Sequence, residues 1–126
     1  MFEFKNISIT TSMITMLLCL VLMLAPELIA FIFAIDASES AFFIGRRAAM
    51  LFLGLSVMSW MGRNAVHSES RQATCLGLTI AMFGLAILGV TEFMRGYTGP
   101  GIFLAVATEI VIASLFLKVW LTNRGA

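Results

Sequence analysis

Charge is scarce in this chain. Its 126 residues hold eight Lys and Arg and seven Asp and Glu, for a net charge of +1. There is no basic arm and no Lys/Arg block, so no nucleic-acid partner is expected. Cysteine is nearly absent: Cys19 and Cys75 lie far apart, without a CxxC spacing. They read as free buried thiols rather than a structural disulfide. The only histidine, His67, falls in a polar stretch and cannot supply the bis-His ligation of a membrane haem. No nucleophile–base pair, zinc motif, phosphate loop or dinucleotide fingerprint is present. Catalysis by the chain alone is therefore not expected, and neither a metal nor a cofactor of its own. No linker, low-complexity segment or clear internal repeat is visible.

Apolar residues fill the space that charge leaves. The chain is 60% hydrophobic and 12% charged, with a mean hydropathy of +1.01. Soluble domains run nearer about 45–50% apolar and about 25% charged. Four apolar stretches approach the roughly 20 residues that cross a bilayer core. The expected fold is all-α: a single four-helix transmembrane domain over 1–126, an up-and-down bundle with helices near 12–35, 41–62, 73–93 and 102–121. The first run, Met13 to Ile35, is too long for the core of a signal peptide, and no Ala-x-Ala site follows it. Asp36 and Glu39 have the spacing of a capping box and place the start of the second helix well before Arg46 and Arg47. "RGYTGPG" reads as a turn.

Lys5, Arg63, Arg71, Lys118 and Arg124 fall on one side of this arrangement, and Arg46, Arg47 and Arg95 on the other. That bias favours a multi-pass protein of a bacterial-type inner membrane with both termini in the cytoplasm.

The stretch "MLAPELIAF" puts a carboxylate, Glu27, inside an apolar run. Counting back from Ile35, Glu27 lies about 12 Å deep from the outer side, and Glu109, seven residues past Ile102, about 11 Å deep. Arg46 and Arg47 fall at a similar level, and Glu92 lies near the outer end of the third helix. An isolated charge at mid-membrane costs about 2.5–3.5 kcal/mol on insertion scales, and pairing inside the bundle is the usual solution. Ion pairs between Glu27 or Glu109 and Arg46 or Arg47 are therefore expected. Glu27, Arg46, Arg47, Glu92 and Glu109 form the candidate ligand or ion-pair site. It would hold a quinone-like or lipid headgroup, an ion or a proton. The competing reading is a structural network that only fixes helix register.

Small residues mark packing faces. Gly101, Ala105, Glu109 and Ala113 recur every four residues, which turns Glu109 toward the bundle. Ala73, Gly77 and Ala81, with Gly84 and Gly89 beyond, form a second face, directed into the bundle or toward a partner. Met13, Met16 and Met23 share a face of the first helix, and read as adaptable packing rather than a copper path. Trp60, Trp120 and Tyr97 suit the aromatic belts.

The pattern "LAPELIAFIF", a short acidic loop and "RRAAMLFLGLSVMSWMGRN" resembles the DoxX-like group of small four-helix membrane proteins and related uncharacterised families. The resemblance rests on Pro26, Glu27, Arg46 or Arg47, and Gly54. It implies an up-and-down bundle and an association with membrane oxidoreductases that handle quinones and sulfur compounds. The chain departs from a redox role of its own in having no reactive cysteine pair. The leading expectation is a non-catalytic accessory or scaffolding subunit of a larger inner-membrane complex, energy-converting or quinone-linked. Its partners would be membrane lipid, other membrane subunits or further copies of itself, with a lipid or quinone as bound molecule. The alternative is a stand-alone protein that binds or transports a small molecule, lipid headgroup or proton at the buried Glu/Arg site.

Overall fold

A computed structural model describes residues 2–124, and every regular element in them is helical. α1 runs Phe2–Leu24, α2 Pro26–Phe33, α3 Glu39–Met61, α4 Glu69–Met94 and α5 Ile102–Asn123. α1, α3, α4 and α5 are each long and apolar enough to cross a bilayer. The fold is a helical bundle that alternates in direction, a multi-pass membrane architecture. The side that carries the chain termini is called here the terminal side, and the opposite one the far side.

The first span begins ten residues earlier than the apolar run indicates. "NISITTS" is polar by composition, yet its hydroxyls bond back to the preceding turn. Thr10 Oγ1 donates to the Asn6 carbonyl at 3.0 Å and Thr15 Oγ1 to that of Thr11 at 2.7 Å. Such back-bonding lets Ser and Thr sit in a helix away from water. The first helix also divides. Pro26 has no N–H to continue the ladder, and Ala25 leaves helical geometry at φ −144°. Pro26 then takes the first position of α2, where a missing N–H costs nothing.

α2 ends with Ala34 in the left-handed region (φ 54°). The Ile35 amide donates back to Ala30 and the Ala34 amide to Phe31, a Schellman-type closure. Ser38, rather than Asp36, caps α3 by accepting from the Ala41 amide at 3.1 Å. Ser68 caps α4 in the same way from the Arg71 amide. Each is followed by a Glu in the first helical turn, which complements the helix dipole.

α1 packs along α3, α4 packs along α5, and α1 meets α5 to join the two pairs. The main core lies toward the terminal side between α1, α4 and α5, around Phe4, Leu78, Met82, Ile112 and Phe116. Phe4 and Phe116 meet edge to face at 6.2 Å. On the far side the α4–α5 turn closes onto α2. The Phe33 carbonyl accepts from the Gly99 amide at 2.7 Å and from Thr98 Oγ1 at 2.6 Å. Gly101 sits so close that a Cβ there would overlap the Ile32 carbonyl oxygen. The remaining surface of the spans is apolar, with Leu24, Phe31, Leu51, Ile80 and Leu104 strongly exposed. In a bilayer these side chains face lipid rather than water.

Candidate functional site: a cleft at Glu109

Two adjoining cavities open in the far half of the bundle. A cleft of about 390 Å³ runs inward from the far side, with Glu92, Tyr97 and Thr98 near its mouth. A second cavity of about 330 Å³ lies deeper, between α1, α2, α4 and α5 with Phe52 of α3. The two share walls made of Leu18, Ile29, Phe33, Phe52, Leu85 and Ala105. Among the described residues the one charged side chain that borders both is Glu109.

The position of Glu109 follows from its helix. Ala113, one turn on, is fully buried, and Ala105, one turn back, lines the cleft. The expected inward turn of the Gly101–Ala105–Glu109–Ala113 face is what the structure shows. Glu109 itself is half-buried. The nearby hydroxyls are committed elsewhere: Thr15 to Thr11, Thr108 to the Leu104 carbonyl at 3.0 Å and Thr98 to Phe33. No donor among the described residues is bonded to the Glu109 carboxylate.

The expected ion pairs are not formed. Among the described residues no ion pair joins Glu27 or Glu109 to Arg46 or Arg47. The residues share a depth but not a direction. α3 turns Gly45, Ala49, Phe52 and Ser56 inward. Arg47 is about 200° around the helix from both Gly45 and Ala49. It is exposed, with its guanidinium 6.0 Å from the Phe43 ring centroid. Arg46 is half-buried but does not border the cleft. Glu27 is exposed, and Ile29 and Phe33 are the α2 side chains that line the cleft. Of the five expected site residues, the structure brings Glu92 and Glu109 to one cleft and leaves Glu27, Arg46 and Arg47 outside it.

Gly77, Ala81 and Gly84 are exposed along one outward face of α4, and Cβ atoms at either glycine would meet nothing within 4 Å. Gly89, by contrast, lies against Val106 and Ile102 of α5. The small-residue spacing on α4 thus divides into an inner contact at Gly89 and a free outer face.

Sequence reasoning missed a second polar group on the terminal side. Arg71 lies in the first turn of α4 and not in a loop, and only 3% of its surface is exposed. Around the same end of the bundle Ser8, Thr11, Ser12, Thr15, Ser56 and Ser59 are also buried. Ser56 Oγ donates to the Ser12 carbonyl at 2.8 Å and ties α3 to α1. The available signal was the i, i+3, i+4, i+7 spacing of Ser8, Thr11, Ser12 and Thr15, which matches one helix face.

Among the described residues no group of three or more His, Cys, Asp and Glu could hold a metal ion. Comparison with protein-family models, with curated proteins and with solved structures returns no match.

Proposed function

We propose that this chain is a non-catalytic membrane protein whose far-side cleft receives the polar end of an amphiphilic small molecule at Glu109. The observation that carries this reading is the place of Glu109, the one charged side chain common to two apolar-walled cavities and not bonded to any donor of the described chain. A carboxylate in such a setting selects a partner that brings a hydrogen-bond donor, a proton or a positive charge. A quinol hydroxyl or an amine headgroup on an apolar tail has that chemistry. The size agrees: small-molecule sites run about 300–1,000 Å³. Intramembrane carboxylates are costly and are retained mainly where they act.

The test is native mass spectrometry of the full chain after gentle extraction, with Glu109→Gln alongside. Wild type is expected to retain a small amphiphile that the folded Gln variant loses by about tenfold, the worth of one hydrogen bond to a charged group. Equal retention by both would end this reading.

A second reading, an accessory or scaffolding subunit of a larger inner-membrane assembly, is favoured by the free small-residue face on α4. Small-xxx-small faces let helices approach closely in lipid, and among the described residues nothing packs on Gly77 or Gly84 of this one. Gly77→Leu is expected to leave the chain folded and to remove a stoichiometric membrane partner from the native mass spectrum. An unchanged set of partners would count against it. A bacterial-type inner membrane with cytoplasmic termini suits both readings and rests on the Lys/Arg bias of the loops.

A further inference from the structure

The terminal side of the bundle holds a buried cation with a donor to spare. Arg71 Nη1 donates to the Ala65 carbonyl at 3.2 Å, and the guanidinium lies 4.7 Å from the Phe4 ring centroid. Its Nε is buried without a hydrogen-bond partner. Ser59 Oγ, on a side chain 4% exposed, is likewise buried without one. Both residues line a single cavity of about 140 Å³, together with Ser8, Ser70 and Thr74. Guanidinium presents N–H donors and no acceptor, and after Nη1 serves Ala65 the Nε–H remains without a partner. Among the described residues no carboxylate pairs with Arg71. Glu69, two residues before it, is exposed.

We propose that Arg71 and Ser59 form a binding site for a phosphate oxyanion. A buried guanidinium that meets no counter-charge among the described residues is expensive, and an anion held by its unpartnered Nε–H reduces that cost. The guanidinium fork matches phosphate geometry, and the Ser59 hydroxyl supplies one further donor. The cavity volume sets the ligand class. It is well above the roughly 15 Å³ that one water requires and below the roughly 300 Å³ of sites for drug-sized molecules. A single tetrahedral headgroup fits between these limits. The location supplies one, because Trp60 and Trp120 mark this end of the bundle as the level of the lipid headgroups. Basic pockets between transmembrane helices take phospholipid headgroups by the same chemistry. Lys5, Arg63, Lys118 and Arg124 lie on the same side and add positive potential. The phosphate can come from a phospholipid headgroup or from free inorganic phosphate.

The experiment uses the purified full chain in detergent, titrated with phosphatidylglycerol and, separately, with the diacylglycerol of the same acyl chains. Bound lipid is read by native mass spectrometry, with and without millimolar inorganic phosphate. Wild type is expected to hold one phosphatidylglycerol at least about tenfold more tightly than the diacylglycerol. Ser59→Ala and Arg71→Lys, which keep the packing and the charge respectively, are each expected to lose most of that preference. Phosphatidylglycerol binding that resists inorganic phosphate identifies the lipid headgroup as the source. Protection against heat by inorganic phosphate alone, lost in Ser59→Ala, identifies the free ion. Equal binding of the two lipids with no effect of phosphate would overturn the proposal.

Discussion

The two ends of this bundle bury charge in opposite ways. On the terminal side Arg71 is enclosed by hydroxyl-bearing helices, held by the Ala65 carbonyl and covered by Phe4. On the far side Glu109 stands in apolar walls between two cavities, without a bonded donor. The cation is oriented by the protein with one N–H left unserved, whereas the carboxylate has no bonded donor among the described residues. A charge held by protein contacts on one side and one without a bonded donor on the other should respond differently to the same kind of substitution.

Holding the far half together should depend most on the turn over α2. Gly101→Ala would drive a methyl into the Ile32 carbonyl, and a loss of about 2–3 kcal/mol is expected from such overpacking, measured by thermal unfolding in detergent. The terminal half should be less sensitive to one polar deletion. Ser56→Ala removes a hydroxyl that bonds the Ser12 carbonyl, at a cost of about 1 kcal/mol in the same assay. Ala34→Gly should move the other way, gaining about 0.5–1 kcal/mol by relieving a left-handed alanine. A gain there together with no loss at Gly101 would dissolve the picture of a far half clamped by its turn. Glu109→Gln should be the mildest for folding, within about 0.5 kcal/mol, although it should abolish ligand retention. A large loss of stability in Glu109→Gln would make the carboxylate structural and remove the contrast between the two ends.

Much of the fold was legible because composition and run length are strong signals in lipid. Four spans of about 20 apolar residues admit few other arrangements. The start of α1 was not legible, because the hydroxyls of Thr10 and Thr15 look polar in sequence but bond within the helix. Pro26 pointed to a kink, and the structure has a full break at Ala25. The depth of the charged layer could be counted at 1.5 Å per residue. Depth, however, says nothing about direction around each helix. Glu109 turned inward as its small neighbours at 105 and 113 indicate, while Arg47 on α3 turned away. Arg71 was hidden by its flanks: "HSESRQ" reads as loop, yet Ser68 starts α4 and carries the arginine into the bundle. No local pattern marks a guanidinium that tertiary packing will bury.

The closure of α2 by the distant turn also bears on how the protein is made. The Phe33 carbonyl finds its partner Thr98 across 65 residues of chain. Chains emerge from the ribosome N-terminus first, so α2 must wait through the synthesis of two further spans before this oxygen is satisfied. The wall of the cleft is consequently completed only after α4 has been made, and a nascent chain halted before residue 98 would carry Ile29 and Phe33 but no finished site.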